Sequence, residues 1–321
     1  MKVVLCLMAV LGAVAAQEYS PHPKLKVQEK DSGDAPSWGY GGEGNPVNWY
    51  KDYLQCGGKR QSPVNLPYVG ELLKAPNRGR PLVFHYYNAL NPARLVQSSK
   101  NFDFVFTGSD EYAPVVSGVG FNPSDKYQFA GLHLHWGSVD SNGAEHTLDG
   151  HTFPGEMHFV HFNKKYGSVE NAINQPDGLV VIGFFLEISS QSMPGLTKMA
   201  KGLHQMRATY QTELDLGDMS LLEFIKGYIY NWKYYYYQGS LTTPPCSESV
   251  QWHVFPVPVP ISRADLEVLR QFPTVKENFS DNNRPIQNLN GRKITYDGLV
   301  VSRDKPWLPE NFKHSPSNEV Y

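Results

Sequence analysis

The chain has 321 residues, 40% hydrophobic and 13% aromatic but only 19% charged, so it can build a sizeable core and is not a disordered or low-complexity polypeptide. A net charge of −2 and a pI near 6.6 exclude the basic field of a nucleic-acid-binding protein and a polybasic membrane signal. With 28 Gly, 24 Pro, 19 Tyr and 16 Phe, the balance favours strands and turns over long helices.

In chain order, residues 1–16 read as a signal peptide. Lys2 supplies the positive end, Val3 to Ala15 are apolar or small, and Ala13-Val14-Ala15-Ala16 suits cleavage. The run is shorter than the roughly 20 residues that span a bilayer, and the polar ending Asn318-Glu319-Val320-Tyr321 argues against a lipid anchor. The mature chain is therefore expected to be secreted, extracellular and without a membrane anchor. Residues 17–36 form a polar arm, 37–297 one globular domain, and 298–321 a polar tail. Cys6 departs with the signal, leaving Cys56 and Cys246 as either a bridge or two free buried thiols. Asn278-Phe279-Ser280 is a glycosylation acceptor triplet.

Strand-like stretches dominate the domain: Phe102–Thr107, Gly131–Trp136, Glu156–Phe162, Leu179–Glu187, the alternating Tyr234–Tyr237, and Val250–Val254. Helical spacing is confined to Leu196–Tyr210, to Met219–Tyr230 with Asp218 as cap, and to a segment opened by the capping box Ser262-Arg263-Ala264-Asp265. Prolines at 244, 245, 256, 258 and 260 are expected to separate the late elements.

The chemistry concentrates in Leu132-His133-Leu134-His135-Trp136. Residues two apart on a strand share a face, so His133 and His135 project together while Leu132, Leu134 and Trp136 cover the other side. In the next strand Glu156, His158 and Val160 share a face, and a hairpin-like return would bring His158 to the pair. Three neutral imidazoles preserve the full charge of a zinc ion and leave a fourth position open, the ligand set that lowers the pKa of bound water towards about 7. Glu156 is then an acceptor for the imidazole of His158. His146 and His161 read as satisfied core histidines.

Six motifs occur in order: WGYG at Trp38–Gly41, RQSPVNL at Arg60–Leu66, HLHWG at His133–Gly137, AEHT at Ala144–Thr147, EMHFVHFN at Glu156–Asn163 and GSLTTPPC at Gly239–Cys246. Through them the chain resembles the alpha-type carbonic anhydrases over about residues 37–297. The resemblance implies a mixed α+β, sheet-dominated single domain, with a central, twisted, mostly antiparallel sheet of about ten strands and short surface helices. It implies Zn2+ on His133, His135 and His158, and attack of zinc-bound hydroxide on carbon dioxide to give bicarbonate and a proton. Thr242 takes the place of the residue that orients the nucleophile, and Glu145 that of the carboxylate receiving the threonine's proton. Val160, Val181, Leu241, Val250 and Trp252, ordinary core as isolated residues, match the apolar wall that holds the substrate. Thr243 and Tyr40 match the polar, water-ordering side. Cysteines at the places of Cys56 and Cys246 are paired in the family's secreted and extracellular members.

Two departures stand out. Lys100 occupies the place of a proton-shuttling histidine; free lysine titrates near about 10.4 and free histidine near about 6.5, so slower proton transfer is expected. Gly131 replaces a glutamine that would hydrogen-bond the first ligand, so His133 must find another acceptor. Two rival readings are a non-catalytic extracellular matrix or binding protein of the same fold, and a zinc esterase. Silent relatives usually lack a ligand histidine, whereas all three are present. The helical H-E-x-x-H pattern of metalloproteases is absent from the sequence.

Overall fold

The computed structural model describes residues 38–70, 81–98, 100–119, 122–229, 233–272, 281–297 and 299–301. Residues 1–16, expected to be a signal peptide, residues 17–36, Asn278 and the tail beyond 301 lie outside the described residues.

The first half of the chain supplies β1 (Asn65–Leu66), β2 (Val83–His85), β3 (Asn91–Gln97), β4 (Phe102–Phe106), β5 (Val115–Ser117), β6 (Tyr127–Trp136), β7 (Thr147–Leu148) and β8 (Gly155–Asn163). There follow α1 (Val169–Ala172), β9 (Leu179–Ser189), α2 (Pro194–Thr209), β10 (Glu213–Met219), α3 (Leu222–Ile225), β11 (Tyr235–Gly239), β12 (Val250–Ser262), α4 (Arg263–Arg270), β13 (Thr295–Tyr296) and β14 (Leu299–Val300). Twelve strands form one sheet, ten of them in the order β10-β3-β4-β6-β8-β9-β12-β11-β13-β14, with β5 paired to β6 and β2 to β5. All its pairings are antiparallel apart from β9 with β12. The sheet-dominated single domain expected from the sequence is what forms. Among the described residues no helix is long and apolar enough to cross a membrane.

Period-two alternation assigns the faces. Leu132, Leu134 and Trp136 of β6, Met157 and Phe159 of β8, and Val180, Ile182 and Phe184 of β9 enter the larger apolar cluster, which α2 covers with Leu196, Met199, Leu203 and Met206. Burying each such side chain contributes roughly 1.5–3 kcal/mol, which anchors the three central strands from behind. The opposite face carries a second cluster that includes Val160, Val181, Tyr237, Val250 and Trp252. With apolar cover on both faces, all nine residues of β8 are buried.

Three local expectations are corrected. Asp218 caps no helix: Glu213–Met219 alternates and pairs with β3, and only the turn Leu222–Ile225 coils before Gly227 takes a φ of +98°. Pro244 and Pro245 lie between β11 and β12 as expected, but the three later prolines interrupt nothing. β12 runs through Pro256, Pro258 and Pro260 with a register shift between Phe255 and Val259, beyond the end of β11, where a missing amide leaves no ladder bond unmade on that side. The tail begins later than 298, because Leu299–Val300 pairs with β13. The Ser262 cap is as expected, its hydroxyl accepting from Asp265 N–H.

Candidate metal centre

The register of β6 against β8 sets His133 directly opposite His158 and His135 opposite Glu156. Ring centroids lie 5.2 Å apart for His133–His135, 5.3 Å for His133–His158 and 4.7 Å for His135–His158. One nitrogen from each ring can be chosen so that all three lie within 4.8 Å of one another. Burial lowers the pKa of all three, helped by the other imidazoles; His135 falls to about 3 and His133 well below the usual range. The cluster is therefore neutral at pH 7, the form in which imidazole binds a metal.

Two of the rings are held from behind. His135 Nδ1 is 2.7 Å from the Asn282 carbonyl oxygen, which leaves Nε2 buried and without a hydrogen-bond partner among the described residues. His158 Nε2 is 2.8 Å from Glu156 Oε1, leaving Nδ1 towards the cluster. Glu156 also accepts from the amides of Glu145 and His146, at 3.0 and 2.8 Å, and lies 2.7 Å from His146 Nδ1. Burial alone would raise Glu156, but His146 and His158 hold it well below the usual carboxylate range. Gly183, across from His158 in β9, makes room for this group, since a Cβ there would sit 3.1 Å from Glu156 Oε1. An orphaned buried imidazole nitrogen beside two further free ring nitrogens is the donor set of a tetrahedral zinc site with one open position.

Glu145 approaches from the connection between β6 and β8. Its Oε1 accepts from Arg284 N–H at 2.9 Å, and its Oε2 lies 3.4 Å from His135 Nε2. Burial pushes Glu145 well above the usual range; the Arg284 amide and the Thr242 hydroxyl act in the opposite direction. Thr242 is buried on the segment between β11 and β12. That segment is fastened by a disulfide between Cys56 and Cys246, by Glu248 accepting from Arg60 N–H at 2.6 Å and Gln61 Nε2 at 3.1 Å, and by Leu241 N–H to Ser247 O.

The remaining expected residues fall into two groups. Val160, Val181, Val250 and Trp252 are buried in one cluster with Leu241 packed against it, and the Trp252 ring lies 4.8 Å from that of His158. Tyr40 packs edge-on against Trp38 and Trp49, and Lys100 Nζ lies 5.9 Å from the Trp38 ring. Burial raises Tyr40 well above its usual range, as does the nearby Glu145 charge. Thr243 follows Thr242 on the fastened segment, its carbonyl accepting from Cys246 N–H. His146 and His161 are satisfied core residues, His146 between Glu156 and the Tyr237 hydroxyl and His161 against Tyr87 at 2.6 Å.

Two contributors escape a reading of the sequence: Asn282 and Arg284. Buried Arg284 donates to Gln61 Oε1, Ser62 O and Cys56 O, while its amide holds Glu145. Nothing near position 284 in the sequence announces this, because all its partners are more than a hundred residues away.

The model of the eukaryotic-type carbonic anhydrase family matches residues 44–298 of the chain. Carbonic anhydrase 7 of Mus musculus is 35% identical over 263 residues, which span 80% of this chain and 96% of the relative. Carbonic anhydrase 7 of Homo sapiens is 34% identical over 265 residues, with the same coverage.

Proposed function

The chain belongs to the eukaryotic-type carbonic anhydrases, and from that premise we propose that His133, His135 and His158 hold one zinc ion for reversible hydration of carbon dioxide, with proton export as the slow step. The observation that carries this reading is the convergence of three neutral imidazoles, one with an orphaned buried nitrogen, against the apolar wall around Trp252. When bound, zinc supplies a Lewis acid and a nucleophile at neutral pH by lowering the pKa of water to about 7.

Glu145 and Thr242 orient that nucleophile. A cation on the three histidines opposes the effect of burial on Glu145 and favours its carboxylate. Held at Oε1 by Arg284 N–H, the carboxylate can only accept, so the Thr242 hydroxyl donates to it and turns a lone pair towards the open position. Fixing that hydrogen-bond direction prepays orientation. Val160, Val181, Leu241, Val250 and Trp252 supply a dry surface for an uncharged substrate. Tyr40 and Thr243 bound the polar side, where protons leave through water.

Lys100 stands where a group titrating near neutrality would relay those protons, so turnover depends on added buffer. The presence and convergence of all three ligands disfavours a silent binding protein of the same fold. Export completes the reading: a signal peptide at 1–16, a catalytic domain from residue 37 that takes in the β13–β14 pair, and a glycan acceptor at Asn278, supported by the apolar run Val3–Ala15 and by the Cys56–Cys246 bridge. Stopped-flow carbon dioxide hydration at low and high buffer, with metal analysis, tests it. One zinc per chain with buffer-dependent turnover is the expected result. Zinc without hydration, or no zinc after gentle purification, would overturn it.

A further inference from the structure

His133 differs from its two partners. Residue 131, two before it and on the same face of β6, is a glycine with no side chain to offer, and among the described residues the imidazole of His133 makes no hydrogen bond. The adjacent strand fills the gap. β4 meets β6 through Phe104 and Leu132, and this antiparallel register sets Asp103 across from His133. Residues so placed bring their Cβ atoms to about 4.5–5.5 Å. Asp103 Oδ1 is 3.9 Å from His133 Nδ1, with both side chains about one-fifth exposed. That separation is too long for a hydrogen bond, but rotation about the side-chain bonds of one aspartate can close it.

We propose that Asp103 is the positioning residue of His133: its carboxylate takes the Nδ1–H when the ring holds the metal, leaving Nε2 for zinc. The inference rests on the three-histidine reading above and extends it. Asn282, Glu156 and Asp103 would then hold the three rings from three different directions, the last from β4 rather than from β6. An acceptor in this place fixes the ring's tautomer and orientation, and loss of such a group typically costs about 10–100-fold in metal affinity or activity.

The test is chelator-driven zinc release from the loaded full chain, using excess dipicolinate. Asp103→Ala should release zinc about 10–100-fold faster than the parent. Asp103→Asn, whose amide oxygen still accepts, should stay within a few-fold, and adding Gly131→Gln to Asp103→Ala should restore retention. Proton NMR of the zinc-loaded parent should show an exchangeable His133 Nδ1–H resonance that shifts in Asp103→Asn, a change that a role in strand packing alone would not produce. This arm remains decisive where Asp103→Ala fails to fold. A parent that holds zinc and hydrates carbon dioxide, with equal release from Asp103→Ala or an unmoved resonance in Asp103→Asn, overturns the inference alone. A parent that holds no zinc overturns the three-histidine reading and this inference together.

Discussion

The inner wall of the site and its outer rim are built differently. On the inner wall His135, His158, Glu156, Glu145 and Arg284 are almost wholly buried and bonded, His158 by Glu156 of its own strand and His135 and Glu145 by residues 282 and 284, more than a hundred positions away. On the rim His133, Asp103, Lys100 and Trp38 are half-buried, and their spacings of 3.9 and 5.9 Å exceed hydrogen-bond length. The inner wall has no slack, because an unpaired buried polar group there costs about 1–3 kcal/mol, whereas rim groups exchange partners with water. Inner groups are therefore held by bonds already made in the fold, whereas rim groups keep room to reorient.

The largest test of that division removes an inner ligand. His135→Ala should leave zinc far below one per chain and bring hydration to background, as read by metal analysis and stopped flow. At the rim, Lys100→His should raise turnover in weak buffer by up to about 10²-fold, with the gap closing as buffer is added. No change would show that proton transfer does not pass this position. Glu156→Gln keeps the shape of the inner wall but weakens its hold on His158 and His146, so zinc should leave about 10–100-fold faster in a chelator assay. Release at the parent rate would erase the distinction between wall and rim.

A further effect lies away from the site. Burial pushes His161 and His253 down to about 3, while an unfolded chain protonates its histidines near about 6.5. Below about pH 6.5 the unfolded state therefore binds more protons than the folded one, and stability falls as pH falls. The loss is about 1.4 kcal/mol per pH unit for each histidine, continuing towards pH 3. His253→Gln should flatten the pH dependence of the urea midpoint between pH 6.5 and 4. An unchanged slope would mean that this histidine takes up its proton while folded.

The metal cluster was legible because period-two geometry is local: His133 and His135 announce one face, and Glu156 and His158 another. Tertiary pairing was not legible in the same way. Asp103 reads as an ordinary strand residue until the Phe104–Leu132 register is known, and that register answers the vacancy which Gly131 leaves beside His133. Asn282 and Arg284 act through a backbone carbonyl and a backbone amide, which any sequence supplies everywhere. The helix expected after Asp218 shrinks to Leu222–Ile225, because its start is drawn into the strand that pairs with β3 and Gly227 leaves helical backbone at φ +98°. The prolines of β12 failed as breakers because β11 ends before them.

The order of the strands along the chain also sets an order of assembly. β6, β8 and β9 are consecutive neighbours in the sheet, so the three ligand histidines can come together from one meander. Thr242, Asn282 and Arg284, together with the cysteine that closes the bridge, belong to the last third of the sequence. During synthesis, when domains begin folding from the N-terminal side, the histidine trio is complete before Asn282 and Arg284 have left the ribosome. A chain truncated before residue 242 would carry all three histidines without the Asn282 carbonyl that holds His135, so the cluster is gathered early and braced only when the last third of the sequence arrives.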